Sequence, residues 1–344
     1  MITTYDFIDS NRRKTIFLVC LFPITLIFML YFSFFVIHVI TQLHFTIPIK
    51  LASAHIDITS SLFATLKEVH NSVYPLIPII FIVSIVWTII AFYFGQNFIM
   101  SFADARPADT VQDSEIIRLV ENIAITAGLP MPQVHIMDDD NLNAFATGMD
   151  PQNAHIVLTT GIIECLTKSE LEGVIAHEMA HINNRDTRIM MIIILLIGFF
   201  TFAGSFIVRI GFSTGGRRRR RNSDNGLNFL IILGIILYIY GIIVAPLIRL
   251  AISRRREYQA DAKAALITRN PQGLISALKK ISGNSEIESF QQKGKEILSP
   301  MCIANPLEEE SSLFTFLSNI TSTHPPIGKR IAALEVMDGT EANY

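Results

Sequence analysis

Four long apolar segments constrain this chain more than any other feature of its sequence. They cover residues of about 15–40, 74–94, 189–208 and 229–248. Each is close to the roughly 20 apolar residues that an α-helix needs to cross the hydrocarbon core of a bilayer. The composition agrees, because 50% of the 344 residues are hydrophobic and 17% are charged, which is typical of a membrane protein. We therefore predict four transmembrane helices.

Basic residues set the expected orientation. The run Arg12-Arg13-Lys14 precedes the first apolar segment, which is too long for the apolar core of a cleaved signal peptide. We expect an uncleaved anchor with a cytoplasmic amino terminus. Two crossings, joined by a 41–73 connection on the far side, then return the chain to the cytoplasm. Residues 101–188 therefore face the cytoplasm, and residues 249–344 do so if the third and fourth segments form a hairpin.

Five consecutive arginines, Arg217–Arg221, lie inside that second hairpin. A hairpin that crosses fully would expose them outside, against the usual cytoplasmic bias of basic loops. Two alternatives stay open: the hairpin crosses despite the run, or its helices enter the bilayer without spanning it. We interpret the run as a tether that rests on lipid phosphates. A net charge of -2 indicates no general affinity for nucleic acid.

The three cysteines are widely spaced and predict neither a disulfide framework nor a cysteine metal site. Cys20 lies inside an apolar segment, and we interpret Cys165 and Cys302 as core thiols. A reduced compartment fits this usage.

The polar segments predict one soluble domain in two parts, 101–188 and 249–344, attached to two hairpins, 1–100 and 189–248. We predict a mainly α membrane protein whose cytoplasmic domain is α+β with a small β-sheet.

Local patterns place the elements of that domain. Helical spacing predicts a helix over residues 114–127 that ends at Gly128. Alternating and β-branched residues predict strands over 133–137 and 155–159, and residues 143–148 are a candidate third short strand.

The next helix carries a metal-binding pattern. Ser169-Glu170-Leu171-Glu172 has the pattern of a capping box, and no Gly or Pro interrupts the chain between Val174 and Ile197. This helix contains His177-Glu178-Met179-Ala180-His181. Histidines four residues apart share a helix face, so both imidazoles can bind one ion, with the glutamate beside a water on that ion. The alternative is an exposed helix that carries two histidines by chance.

A zinc ion held by two imidazoles and a water needs a third protein ligand. The best candidate is Glu257, because Asp261 lies one helical turn later and can orient a ligating histidine through its second ring nitrogen. His181 precedes the third apolar segment, and Glu257 follows the fourth, by about the same distance, roughly 12–14 Å along a helix. A solvated surface charge is the alternative for Glu257. Cobalt or manganese would accept the same ligands, and zinc is predicted on common usage.

These residues predict metal-assisted hydrolysis of peptide bonds. The ion lowers the pKa of water and polarises the scissile carbonyl, and Glu178 takes the water proton and passes it to the leaving amine. A metal near the bilayer surface favours membrane proteins as substrates. An inactive zinc-binding scaffold is one alternative, which the complete motif argues against. A transporter is another alternative. The apolar segments contain almost no ionisable residues apart from His38, which argues against a transporter.

The order and separation of several motifs resemble the HtpX-type membrane zinc peptidases, gluzincins related to the CAAX prenyl proteases. The shared motifs are Gly128-Leu129-Pro130, residues 143–148, Thr160-Gly161, residues 173–181, Asn184-Arg185-Asp186, residues 256–261 and residues 322–326. The resemblance implies a zincin-like domain with one zinc ion per chain. It also implies a cytoplasm-facing endopeptidase of the bacterial inner membrane that acts in membrane-protein quality control.

The same resemblance implies roles for individual residues. His177, His181 and Glu257 would hold the zinc, with Glu178 as the catalytic base. His324 would stabilise the oxyanion of the tetrahedral intermediate, with a structural histidine as the alternative.

The resemblance further implies that Asn143, Ala144, Phe145 and Ala146 form an edge strand along which the substrate lies. Ordinary turn chemistry is the alternative for Asn143. His135 and His155 lie in strand-like runs, and we do not predict them as ligands.

Overall fold

The computed structural model describes residues 4–45, 58–215, 230–242, 255–283 and 325–339. The α-helices in these ranges are α1 (Thr4–Phe45), α2 (Ile58–Val73), α3 (Ile77–Ala103), α4 (Ser114–Ala127), α5 (Thr160–Cys165), α6 (Lys168–Asn183), α7 (Asp186–Gly215), α8 (Leu230–Ile242), α9 (Arg255–Thr268), α10 (Pro271–Gly283) and α11 (Ile327–Met337). The strands are β1 (Ala105–Pro107), β2 (Gln133–Met137), β3 (Ala144–Thr147) and β4 (His155–Thr159). Short 3-10 turns cover Tyr74–Leu76 and Pro151–Asn153.

Within the described ranges, three helical segments are long and apolar enough to cross a membrane: Asp9–Ile40, Leu62–Ala103 and Asp186–Ser213. They coincide with the first three predicted segments. Of the fourth, the structure describes only α8, which is a shorter apolar helix. Four spans, the cytoplasmic orientation and the four-part domain division stay predictions. The arginine run 217–221 lies outside the described residues.

Part of the expected connection between the first two spans is helical. Residues 58–73 form α2, which continues through a 3-10 turn at Tyr74–Leu76 into α3. Thr65, Val69 and Val73 are buried on α2 at a spacing of four residues, which is the spacing of one helix face. This pattern was present in the sequence, but no helix was predicted there.

The described chain divides into two compact units. One contains Ile16–Ala91 and Leu195–Ala245, and so most of the apolar helices. In that unit Phe22 meets Phe199 and Phe200 edge to face, with ring centroids 5.3 and 5.7 Å apart. A Cβ added at Gly204 of α7 would lie 2.6 Å from the backbone nitrogen of Tyr238 in α8. A small residue there lets the two helix backbones approach closely.

The other unit contains Met1–Thr15, Phe92–Ile194 and Pro246–Tyr344, and its sheet has the strand order β1-β2-β4-β3. β2 and β4 are parallel, while β3 runs antiparallel to β4 and forms an edge. The strands predicted at 133–137 and 155–159 are confirmed, and the third covers Ala144–Thr147. β1, whose three residues include a proline, was not predicted from the sequence.

One face of this sheet packs on a helical layer. Val134, Ile156 and Leu158 contribute to a buried cluster with residues of α4, α6 and α10. The helix predicted at 114–127 is confirmed, and Gly128 ends it with a φ of 68°, in the left-handed region that glycine adopts without strain. This layer holds α6, the helix that carries the two histidines, against the sheet.

The start of α6 differs from the prediction. Thr167, and not Ser169, is the N-cap, because its hydroxyl accepts from the Glu170 N–H while Glu170 Oε2 accepts from the Thr167 N–H at 2.7 Å. Lys280 and Ser276 of α10 also donate to Glu170. Burial would raise the pKa of Glu170, but these hydrogen bonds outweigh it and lower the pKa to about 2. The tertiary contacts to α10 therefore select Glu170, three residues after Thr167, as the capping-box carboxylate.

The helix was expected to run without a break towards Ile197, and it ends earlier. α6 ends at Asn183 and α7 begins at Asp186, with Arg185 between them at a φ of 56°. A residue with a Cβ adopts this conformation only at an energetic cost. No Gly or Pro occurs at the break, and the Asn184 oxygen and Asp186 on its two sides accept hydrogen bonds from Asn11 of α1.

The interpretation of Cys165 as a core thiol was wrong. Cys165 is an exposed free thiol at the end of α5, where Ile162 is the buried residue, and Cys20 is also free and exposed. Cys302 lies outside the described residues.

His135 and His155 form a pair on neighbouring strands. Their ring centroids lie 4.9 Å apart, and the Nδ1 atoms of both are buried without a hydrogen-bond partner among the described residues. Burial lowers the pKa of both imidazoles, and burial together with the nearby charge of His135 lowers that of His155 to about 4. The folded chain therefore keeps this pair neutral at physiological pH.

This pair predicts sensitivity to acid. Because the folded-state pKa of His155 lies below the unfolded value of about 6.5, the unfolded chain binds a proton first, and stability falls as the pH drops from about 6.5 towards 4. We expect His155→Gln to reduce the loss of stability between pH 7 and pH 5 by about 1–2 kcal/mol. Thermal unfolding in detergent at both pH values measures it, and equal losses in variant and wild type would contradict the prediction.

Candidate metal centre

α6 presents two imidazoles to each other. His177 and His181 lie one helical turn apart, and their Nε2 atoms are 3.2 Å apart. His177 is 1% exposed, and the side chain of His181 is 14% exposed. Both rings are thus held in a largely water-free site with the same nitrogen directed inward.

Glu257, in the first turn of α9, completes a triangle of donors. Its Oε2 lies 3.7 Å from His177 Nε2, and its Oε1 lies 3.6 Å from His181 Nε2. Two ligands bound tetrahedrally at the usual zinc distances are roughly 3.4 Å apart. The three donors therefore fit around one ion of that size. The structure brings together the three residues that the sequence predicted as ligands.

Carboxylates face the outer nitrogens of both rings. Asp261 Oδ1 lies 2.9 Å from His177 Nδ1, and Asp186 Oδ2 lies 3.0 Å from His181 Nδ1. A carboxylate at Nδ1 favours the tautomer with its proton there, which leaves a lone pair on Nε2. Two lone pairs 3.2 Å apart repel unless a cation lies between them, so the arrangement requires a metal ion or a proton.

The charges around the rings lead to the same conclusion. Glu178, Asp186, Glu257 and Asp261 are all less than 10% exposed, as are the two guanidinium groups of Arg256 and Arg330. Among the buried side chains that the structure describes here, four carboxylates thus face two cations. The excess of two negative charges matches a divalent ion, because buried charges need partners.

Arg330 of α11 is the centre of this charge network. It is 0% exposed, and it donates to Asp261 from Nε at 2.9 Å and from Nη2 at 2.7 Å. Its Nη1 also lies 3.8 Å from Glu257 Oε2. Burial would lower the pKa of Arg330, but the charges of Asp261, Glu257 and Glu178 raise it above its ordinary value. A permanent cation therefore orients both the third ligand and the partner of His177.

The histidines respond to these carboxylates. Burial and the Arg330 charge act to lower the pKa of His177, but its hydrogen bonds to Asp261 and Glu257 outweigh them and raise it to about 9. The pKa of His181 is also raised, since the charge of Glu257 and the hydrogen bond to Asp186 outweigh burial. Without a metal ion the site therefore retains protons at neutral pH, and metal binding displaces them.

Glu178 lies on α6 between the two histidines and is 2% exposed. Its charge contributes to the raised pKa of Arg330, which places its carboxylate within the field of the same network. His324, the other predicted catalytic residue, lies outside the described residues.

The predicted substrate strand lies at the edge of the sheet. Asn143, Ala144, Phe145 and Ala146 are all buried. The backbone of Asn143 pairs with Thr159 of β4, and its side-chain Oδ1 accepts from the Ala144 N–H at 2.9 Å. In this structure the amide of Asn143 thus makes a local backbone contact of the kind that ordinary turn chemistry predicts.

No role was predicted from the sequence for Asp186, Arg256 or Arg330. Asp186 follows His181 by five residues, a spacing that faces away on a continuous helix, so only the break at Arg185 brings it to His181. Arg256 Nη1 donates to Asp186 Oδ1 at 2.9 Å. The signals available for Asp186 and Arg256 were their places in the shared motifs, Asn184-Arg185-Asp186 and residues 256–261. Arg330 had none.

Comparison with known proteins identifies a peptidase family. Residues 110–338 match the model of peptidase family M48. The chain is 40% identical over 273 residues to a protease HtpX homolog of Bacteroides fragilis (strain YCH46), covering 79% of this chain and 84% of the relative.

Two further relatives span nearly the whole chain. Protease HtpX homologs of Dictyoglomus turgidum and Streptococcus uberis are 35% and 34% identical, each over 97% of this chain and over 95% and 99% of their own lengths. Among solved structures, S. mikatae Ste24p is similar with a TM-score of 0.46 and 20% identity, over 87% of this chain and 66% of that chain.

The buried arginine generates a prediction about stability. Arg330→Met removes the cation while Asp261 and Glu257 stay buried, and we expect it to destabilise the metal-free protein by about 3–5 kcal/mol. The matched control is Lys279→Met, which removes the 3.2 Å ion pair between Lys279, whose side chain is 58% exposed, and Glu335 of α11. Exposed pairs contribute about 0–1 kcal/mol. Unfolding in detergent measures both, and equal effects would refute the role of Arg330.

Asp186 generates a prediction about metal affinity. Asp186→Asn weakens the acceptor for the Nδ1 proton of His181 and permits the wrong tautomer, in which Nε2 is protonated. Outer partners of ligating histidines typically contribute about 10–100-fold to metal affinity, and we expect a loss in that range. Competition with a chromophoric zinc chelator measures it, and an unchanged dissociation constant would exclude this role.

Proposed function

Since the chain belongs to peptidase family M48 and is a membrane-bound metalloprotease, we propose that His177, His181 and Glu257 bind its catalytic metal ion and that Glu178 is the catalytic base. We propose zinc as the ion, one per chain. The observation that carries this assignment is the pair of Nε2 atoms 3.2 Å apart, each in a ring whose Nδ1 faces a carboxylate. Glu257 supplies the charged third donor.

The chemistry of the donors supports a zinc ion. Two imidazole nitrogens and one carboxylate oxygen form a ligand set that leaves a fourth tetrahedral position open, as catalytic zinc sites do. When bound, zinc supplies a Lewis acid that polarises the scissile carbonyl and makes water acidic enough to be deprotonated near neutral pH.

The residues of the chain perform the remaining steps. Glu178 accepts a proton from the attacking water as the new C–O bond forms, and it donates that proton to the amine nitrogen as the C–N bond breaks. Asp261 and Asp186 keep both histidines in the ligating tautomer, while Arg330 holds Asp261 and Glu257 in place. Because these groups are already oriented by hydrogen bonds, little reorganisation is needed during the reaction. His324 is the proposed donor to the oxyanion.

The substrates of a protease are proteins, and we propose membrane proteins among them. The three candidate spans support attachment to a bilayer. We further propose that this is the cell inner membrane, that the metal centre faces the cytoplasm and that the role is quality control. The basic flank of the first apolar segment supports the orientation, and the resemblance of the motifs to the HtpX-type peptidases supports the location and the role.

The sheet offers one place for an extended substrate. The Thr159 N–H donates to the Asn143 carbonyl oxygen at 3.1 Å, and the Asn143 N–H donates to Thr159 Oγ1 at 3.0 Å. With this register, the antiparallel alternation directs the backbone groups of Ala144 and Ala146 away from β4. The Ala144 N–H already donates a hydrogen bond to Asn143 Oδ1. The N–H of Ala146 is therefore the donor on which a substrate strand would depend.

Ala146→Pro tests this mode of binding. Proline removes the outward N–H and is tolerated on an edge strand where that N–H does not pair within the sheet. We expect KM to rise about tenfold, the equivalent of about 1.4 kcal/mol for one backbone hydrogen bond, with zinc affinity unchanged. The control is Thr147→Val, which keeps shape and backbone donors on the same strand. A KM that is unchanged in Ala146→Pro would exclude substrate pairing at this residue.

Glu178→Gln tests the central assignment. The amide cannot accept the water proton, so we expect at least a hundredfold lower kcat with zinc retained. Glu172→Gln, a partly exposed position on the same helix, is the matched control and should cut like wild type. All three proteins are purified in detergent, loaded with zinc and assayed on an unfolded membrane protein by gel.

The outcomes separate the two candidate functions. Cutting by wild type and not by Glu178→Gln supports the proposed base. Equal cutting by both would refute the role of Glu178. If neither cuts while both hold zinc, the inactive zinc-binding scaffold becomes the better description.

A further inference from the structure

Asn11, near the start of α1, is buried against residues that are far from it in the sequence. It is 3% exposed. Its Nδ2 donates to the backbone oxygen of Asn184 at 3.0 Å and to Asp186 Oδ1 at 2.8 Å. The amino-terminal end of the first helix thus contacts both sides of the break between α6 and α7.

The chemistry of these contacts fits an asparagine. Both partners are acceptors, so the side chain must supply two N–H groups from one atom, which an amide nitrogen does. The Asn184 oxygen is one of the carbonyls left without a helical partner where α6 ends. An amide satisfies it without adding charge beside Arg256, which already neutralises Asp186.

Asp186 connects these contacts to the metal centre. Its Oδ1 accepts from Asn11 at 2.8 Å and from Arg256 at 2.9 Å. Its Oδ2 is left to face His181 Nδ1 at 3.0 Å. Donors from two distant segments therefore fix the plane of this carboxylate, and with it the orientation of the His181 ring.

We propose that Asn11 is a positioning residue of the metal centre, which acts through Asp186 on His181. The inference rests on the proposed assignment of His181 as a ligand. It makes the amino-terminal segment, 170 residues before His181, a functional part of the site. Loss of the amide would free the carboxylate to rotate and leave a buried carbonyl unpaired.

The test compares Asn11→Ala with Thr15→Val in the full-length chain in detergent. Thr15 lies one helical turn after Asn11 and is 8% exposed, and its hydroxyl has no hydrogen-bond partner among the described residues. Thr15→Val is therefore a matched buried change on the same helix. Zinc affinity is measured by chelator competition, and the visible spectrum of the cobalt-loaded protein reports the ligand geometry.

We expect Asn11→Ala to weaken zinc binding about tenfold, the lower end of the range for outer partners, and to change the cobalt spectrum. Thr15→Val should leave both unchanged. Adding Asn11→Ala to Asp186→Asn should change the affinity less than twofold, since the path through Asp186 is already cut. If Asn11→Ala does not yield folded protein, Asn11→Asp keeps the size, removes both donors and should lower the affinity further.

Two results would overturn the inference. One is lower thermal stability of metal-free Asn11→Ala with unchanged zinc affinity, which would leave Asn11 a merely structural role. The other is an equal loss of affinity with and without Asp186→Asn. The proposed function fails separately, if His181→Ala binds zinc as tightly as wild type.

Discussion

The carboxylates behind the two imidazoles are the interaction on which the rest of this site depends. They hold the Nδ1 protons, direct both Nε2 lone pairs to one point and create a negative charge that only a cation can balance. Each of these carboxylates is itself held by arginine, Asp261 by Arg330 and Asp186 by Arg256. The geometry of the candidate metal centre is therefore formed by a network in which the proposed ligands are the innermost members.

This network joins segments that are far apart in the chain. Asn11 of α1, the end of α6, the start of α9 and Arg330 of α11 all contribute side chains to it, and all belong to the same compact unit. The cost of burying these charges is offset only when every partner is present, because a buried carboxylate without its cation is strongly destabilising. The site consequently couples metal binding to the folding of four separate segments.

The sequence predicted the elements with strong local signals. The strands at 133–137 and 155–159 and the helix at 114–127 follow from side-chain alternation and helical spacing. The start of α6 and its end at Asn183 were wrong or missed, since both depend on partners elsewhere: Lys280 and Ser276 for Glu170, and Asn11 for Asn184. Cys165 was wrongly predicted to be buried. The helix that ends at Cys165 is short, and its composition does not show which of its sides is exposed.

The sequence by itself determined which residues are the proposed ligands. Two histidines one helical turn apart define a metal-binding face wherever that helix lies, and the glutamate with an aspartate four residues later extended the set to α9. The tertiary structure alone decided what orients those ligands. The break at Arg185 turns Asp186 towards His181, and Arg330 reaches Asp261 from 69 residues away. Neither follows from local pattern, because buried charges are partnered in space and not along the chain.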